Sequence, residues 1–89
     1  MAWTISYTET ALKQLRKLDR TIARRLVDFM DERIAPLDDP LSQGKSLQGP
    51  AFESLWRYRV GDYRLLCEIE DSRLIVLVVT IAHRKDVYR

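Results

Sequence analysis

Three periodicities succeed one another along the chain. "AWTISY" alternates loosely and is rich in β-formers, which predicts a first strand over about residues 2–7. Ala11, Leu12, Leu15 and Leu18 then recur at helical spacing and leave Lys13, Arg16 and Lys17 outward. Thr8 is placed to cap this helix, with Glu9 favourable in its first turn. Asp19 is the matching cap for a second helix, whose stripe is Ile22, Leu26, Phe29, Met30 and Ile34. That helix ends before Pro36, because a residue preceding proline disfavours the helical region.

"PLDDPLSQGKSLQGP" holds all three prolines and two of the three glycines, and reads as a loop near the upper length expected in a compact domain. Lys45 follows Gly44, but the earlier glycine and the leading strand of a phosphate-binding P-loop are missing. The period then drops to two. Trp56, Tyr58 and Val60 alternate with Arg57 and Arg59. After Gly61-Asp62, Tyr63, Leu65, Cys67 and Ile69 alternate with Arg64, Leu66, Glu68 and Glu70. Glycine at the first central position suits a two-residue type II′ hairpin. Counting outward, Val60 pairs with Tyr63, Arg59 with Arg64, and Tyr58 with Leu65. One face is then apolar and packs on the helices, while Arg57, Arg59 and Arg64 share the other. A turn near Asp71-Ser72, of open register, leads into "RLIVLVVTIAH". This run is apolar on both faces and so belongs centrally in the sheet, with its second face partly covered by the loop or by a partner. Arg84 to Tyr88 emerge at the end that carries the hairpin turn. The expected fold is α+β in the order β-α-α-β-β-β, a helical hairpin on a largely antiparallel four-stranded sheet.

Composition narrows the class. The 89 residues, 46% hydrophobic, make one domain over 1–89 with a modest core. Cys67 is the single cysteine, which excludes an internal disulfide and suits a reducing compartment. "MAWTISYTET" has neither a basic nor an apolar leader region, and "LIVLVV" is too short to span a bilayer, so a cytoplasmic protein with no membrane association is expected. The net charge of +2 hides segregation. Six basic residues lie between Lys13 and Arg25 against Asp19 alone, an acidic stretch follows from Asp28 to Asp39, and basic residues return from Trp56 to Arg64 and at Arg84, Lys85 and Arg89. Such patterning favours a polyanionic partner.

Facing Arg59 with Arg64 costs a few tenths of a kcal/mol to about 1 kcal/mol. Strands that tolerate such repulsion are often prepared for an anion. Guanidinium groups bind phosphate oxygens bidentately and stay charged, so several converging on one phosphate stabilise the added charge of a phosphoryl transition state. One histidine, one cysteine and scattered carboxylates supply no metal constellation, which argues against a two-metal nuclease. The remaining route is attack by an RNA 2′-hydroxyl on its neighbouring phosphate, which needs a base, an acid and cationic stabilisation.

The element order, together with "GKSLQGP", "LWRYRVGDYRLL" and "IAHRKDVYR", resembles the RelE/ParE superfamily of type II toxin–antitoxin toxins, and its RelE branch in particular. The resemblance covers essentially the whole chain. It implies a microbial-RNase-like fold and a ribosome-dependent mRNA endonuclease that cuts messages in the ribosomal A site without metal or cofactor. It also implies a cognate antitoxin, with the toxin monomeric by itself and hetero-oligomeric with that partner. By position, Arg57 and Arg59 stand where RelE-like toxins often have lysines. Arg64 matches the arginine that holds the scissile phosphate. Arg84 matches the one that stabilises the transition state and serves as acid, and Tyr88 the tyrosine that orients the reacting nucleotide. Arginine is a poor general base, so base duty falls to Tyr88, Lys85, His83 or the ribosome. His83 has an unperturbed pKa near 6.5 suited to proton transfer, and it meets Arg84 only if the strand ends at about Ala82. Lys45, Lys85, Lys13, Arg16 and Lys17 are the expected RNA phosphate contacts. Trp3, Trp56, Tyr58, Tyr63 and Cys67 read as packing. The alternatives are a ParE-like toxin that inhibits DNA gyrase without nuclease activity and an interaction module whose basic face docks an acidic peptide.

Overall fold

The computed structural model describes residues 2–46 and 55–87. Strand β1 (Thr4–Tyr7) is followed by α1 (Glu9–Lys17) and α2 (Arg20–Phe29). Both helix starts are set locally. Thr8 Oγ1 accepts the Ala11 N–H at 3.1 Å, and Asp19 Oδ1 accepts the Thr21 N–H at 2.8 Å. Beyond Phe29 the helix widens into a π turn, Met30–Ile34, closed by the Ala35 N–H donating to Met30 O at 2.9 Å. Leu26, Met30 and Ile34 are spaced by four, and in an α-helix of 3.6 residues per turn that row drifts around the axis. The wider turn cancels part of the drift, and all three side chains are buried.

The sheet order is β1-β5-β4-β3-β2, with β2 (Lys45–Ser46), β3 (Trp56–Val60), β4 (Tyr63–Glu70) and β5 (Ile75–His83). A short helix, α3 (Arg84–Val87), follows β5. The four-stranded expectation is therefore corrected to five. Lys45 and Ser46, within the long loop, pair antiparallel with Arg57 and Trp56. A two-residue strand has no readable periodicity. It forms because Gly44, at φ +77°, lets the loop come down on the Arg57 carbonyl, where a Cβ has no room. Of "GKSLQGP", the residues after Ser46 lie outside the described residues.

The hairpin register is as counted: Val60↔Tyr63, Arg59↔Arg64 and Tyr58↔Leu65. Gly61 has φ +58° and Asp62 no positive φ, as a type II′ turn requires. At the open turn, a 3-10 segment (Asp71–Arg73) and left-handed Leu74 bring Ile75 opposite Glu70. β5 is flanked on both sides, by β1 in parallel and β4 antiparallel. The ladder slips once. Leu66 pairs with Thr80 and Cys67 with Val78, leaving Val79 as a bulge. Side-chain parity flips there, so Val76, Val78 and Ile81 all reach the core.

The core lies between this face and the helices. Ala11, Leu26, Met30 and Ile34 meet Tyr58, Leu65, Cys67, Val76 and Val78. Trp3 joins them, and Trp56 and Tyr63 pack at the margin. β1 reaches only Val78, and side chains continue the edge beyond it. Thr8 Oγ1 donates to Val79 O at 2.6 Å, and the Ile81 N–H donates to Gln14 Oε1 at 2.6 Å. Among the described residues no helix is long and apolar enough to cross a membrane.

Candidate active site

The hairpin turn gathers two of the predicted arginines. Arg64 projects from the face opposite the helices, between Arg59 on β3 and Ala82 on β5. It is only 4% exposed, so the expectation of a surface arginine is corrected. Its Nη1 donates to Gly61 O at 3.2 Å and Tyr63 O at 3.0 Å, which folds the guanidinium back onto the turn. Its Nε is buried without a hydrogen-bond partner, and among the described residues no carboxylate pairs with it. A buried cation held by carbonyls alone keeps its charge unneutralised in a poorly solvating place.

Arg84 arrives at the same turn from the other side. Its N–H donates to Asp62 O at 2.6 Å, and its Nε stands 3.6 Å from Asp62 Oδ1. Both side chains of that ion pair are more than half exposed, so it holds Arg84 weakly and leaves the guanidinium free to exchange partners. The backbone hydrogen bond is the firmer anchor. It fixes the start of α3 to the hairpin, as expected for the Arg84–Tyr88 segment, although Tyr88 itself lies outside the described residues.

Arg57 and Arg59 occupy the edge side. With Lys45, they line a groove of about 260 Å³ between β3, the Gly44 loop and Phe29. The five-stranded sheet thus explains why Lys45 is near these arginines: β2 lays it opposite Arg57. The four arginines do not converge in one open hollow. Arg64 and Arg84 share the turn, and Arg57 and Arg59 share the groove beside it.

His83 is separated from Arg64. The strand runs through His83 rather than ending at Ala82, and the Val79 bulge puts its ring opposite Tyr63 on the helix-facing side. The two rings meet edge to face with centroids 5.3 Å apart. His83 Nδ1 accepts the Lys85 N–H at 3.3 Å, so the imidazole caps the turn into α3. Lys85 is exposed on that helix. Lys13, Arg16 and Lys17 are exposed on α1, which packs over β5 and β1, far along the sheet from β3.

Three other groups are excluded from the chemistry by burial. Burial pushes the Cys67 thiol well above its ordinary pKa, leaving it a small hydrophobe. The Tyr58 phenol is also pushed up by burial and donates to Pro40 O at 2.8 Å. Tyr7 rises to about 12, chiefly by burial and then through Asp31 and Cys67.

Comparison with known proteins places this arrangement. The family model described as the ParE toxin of type II toxin–antitoxin systems, parDE, matches residues 5–88. The chain belongs to that family. Toxin RelG of Mycobacterium tuberculosis is 34% identical over 89 residues, which is 100% of this chain and 99% of its own. The mRNA interferase toxin RelE of Escherichia coli is 28% identical over 85 residues, 96% of this chain and 86% of its own. The crystal structure of the Mycobacterium tuberculosis RelBE2 toxin–antitoxin complex matches with a TM-score of 0.84 and 31% identity, over 97% of this chain and 95% of that chain. The protein is thus a type II toxin of the RelE/ParE superfamily, with RelE-type toxins as its neighbours.

For a toxin of this family, sequence reading missed two features of the site. The first is the burial of Arg64, which periodicity cannot register because alternation assigns a face and not its cover. The second is that the arginines of α2, with Arg33 in the π turn beyond it, reach the hairpin end. The basic run from Lys13 to Arg25 already includes Arg20, Arg24 and Arg25, but nothing in their spacing shows that they meet the hairpin.

Proposed function

We infer that this toxin is a metal-independent, ribosome-dependent endoribonuclease that cuts mRNA in the A site. The carrying observation is Arg64: a buried guanidinium, oriented by two carbonyls, with no carboxylate partner among the described residues and with Arg84 at the same turn. A phosphate is the ligand that best answers such a group. The name of the Escherichia coli relative supports RNA cleavage as the outcome.

In this reading the 2′-hydroxyl oxygen attacks the adjacent phosphorus and the P–O5′ bond breaks. The hydroxyl proton passes to a base and another is delivered to the leaving 5′-oxygen, leaving a 2′,3′-cyclic phosphate and a 5′-hydroxyl. Arg64 holds the phosphate, and Arg84 leaves the exposed Asp62 to stabilise the transition state and act as acid. Arg57 and Arg59 neutralise charge, with Lys45 and Lys85 on flanking phosphates. Tyr88 orients the nucleotide. His83 is the weakest of the three base candidates, since its ring lies across the sheet from Arg64 and its Nδ1 is engaged. Lys85, Tyr88 and the ribosome remain. An antitoxin neutralises the toxin in a cytoplasmic complex, as supported by the RelBE2 likeness.

Primer extension on messages from translating ribosomes tests the reading. Induction should create new 5′ ends, and Arg64→Ala or Arg84→Ala should abolish them. The family model carries the ParE name, which favours gyrase inhibition as the second reading. Intact messages together with accumulated gyrase-cleaved DNA would replace the first reading with the second.

A further inference from the structure

A second cleft lies on the other side of the hairpin from Arg64 and Arg84. It is an open trough of about 770 Å³ between α2 and the Arg59–Gly61 end of β3. Two adjacent helical rows build one wall. Arg20 and Arg24 stand on one row, Arg25 and Arg33 on the other, each spaced to project from the same side. Arg59 closes the far wall. All five arginines are exposed.

Their charges are poorly compensated. Only Asp28 and Glu32 enter the trough with them, and Asp28 is engaged with Arg24 at 3.9 Å. Among the described residues, Arg20, Arg25, Arg33 and Arg59 have no carboxylate within ion-pair distance. Arg20 and Arg24, at i,i+4 spacing, repel each other, and the remaining like charges share one exposed cleft. A polyanion removes that repulsion and releases its own counterions in doing so.

The trough also has a direction. The Arg25 guanidinium lies against the hairpin turn, 3.5 Å from where a Cβ on Gly61 would stand. Glycine there answers the turn's φ of +58°, and the guanidinium stands at ordinary contact distance from it. Gly61 is also the residue whose carbonyl holds Arg64. One turn therefore joins the cleft to the buried arginine. A phosphodiester strand carries charges at a regular spacing and is able to run from one to the other, whereas a single small anion uses only one end.

We propose that the α2–β3 trough, through Arg20, Arg25, Arg33 and Arg59, binds the phosphate backbone of a single RNA strand flanking the position held by Arg64. This rests on the RNA-cleaving reading above and extends it to a second, non-reacting binding site. The contacts are to phosphate, so they add affinity and salt dependence without base preference.

Binding of a labelled single strand of 2′-O-methyl RNA to the full chain, followed by fluorescence anisotropy across a salt series, tests the trough separately from cleavage. Each phosphate contact to a single strand contributes about 0.7 to the slope of log K against log salt. The double variant Arg20→Gln/Arg25→Gln should flatten that slope by about 1.4 and weaken binding about 25-fold near 0.1 M salt. Arg25→Lys in place of Arg25→Gln should restore about half of the lost slope, about 0.7. Arg64→Ala should abolish new message ends while retaining a salt slope that still depends on Arg20 and Arg25. Unchanged affinity and slope in the double variant would overturn the proposal, as would tighter binding of a glutamate-rich peptide of equal charge. If the trough binds RNA as described but messages stay intact on induction, the cleavage reading fails and the binding site stands.

Discussion

Replacing Arg64 by methionine separates a structural arginine from one held ready for an anion. The side chain is 4% exposed, and its Nε has no hydrogen-bond partner. An unsatisfied buried polar group of this kind costs about 1–3 kcal/mol. Its pairing opposite Arg59 adds a few tenths to about 1 kcal/mol of repulsion. Against these stand two hydrogen bonds from Nη1 to the turn carbonyls, each worth about 1 kcal/mol net, and those carbonyls belong to a hairpin end where water can reach Gly61. Methionine of similar length fills the same volume without charge. The balance favours Arg64→Met by roughly 1 kcal/mol. For 89 residues, at about 2.1 cal/mol/K of unfolding entropy each, that raises the melting temperature by about 5 °C. Message cleavage should fall at least ~100-fold, as for loss of one preorganised donor at a developing charge. Thermal unfolding followed by circular dichroism, beside a ribosome cleavage assay, reads both. A variant melting about 10 °C lower would show that the guanidinium supports the fold, and the reasoning would fail.

Two further outcomes follow from the fold. Gln14→Leu removes the acceptor for the Ile81 N–H and the partner of Thr80 Oγ1, so it should cost about 1–3 kcal/mol and speed amide hydrogen exchange at Ile81 more than at Leu65. Tyr7 has a folded pKa raised from 10.0 to about 12, so the stability tied to its neutral form is complete below pH 10 and is lost as pH rises toward 12. Tyr7→Phe should therefore flatten the alkaline limb of a stability–pH curve; because the hydroxyl is buried without a partner, it should cost nothing at neutral pH.

The alkaline limb and the amide exchange probe opposite kinds of residue. Thr8, Asp19 and Gly61 act within a few bonds of themselves, and each was legible. The same holds for the alternation that paired Arg59 with Arg64, since a two-residue turn leaves one register. Gln14 reads as an ordinary polar helix position, and only the early end of β1 gives its amide an edge to complete. The face that His83 takes was not legible for a related reason. Its face depends on the Val79 bulge four residues upstream, within a run apolar on both sides.

By itself the sequence determined the periods, the caps, the hairpin turn and therefore the order and type of the main elements, because these follow from backbone sterics and local hydrogen bonding. Tertiary structure decided the fifth strand, the parity of β5 beyond Val79, the burial of Arg64 and the joining of the α2 arginines to the hairpin. These depend on which surfaces come together, and contact between residues distant in the chain leaves no period behind.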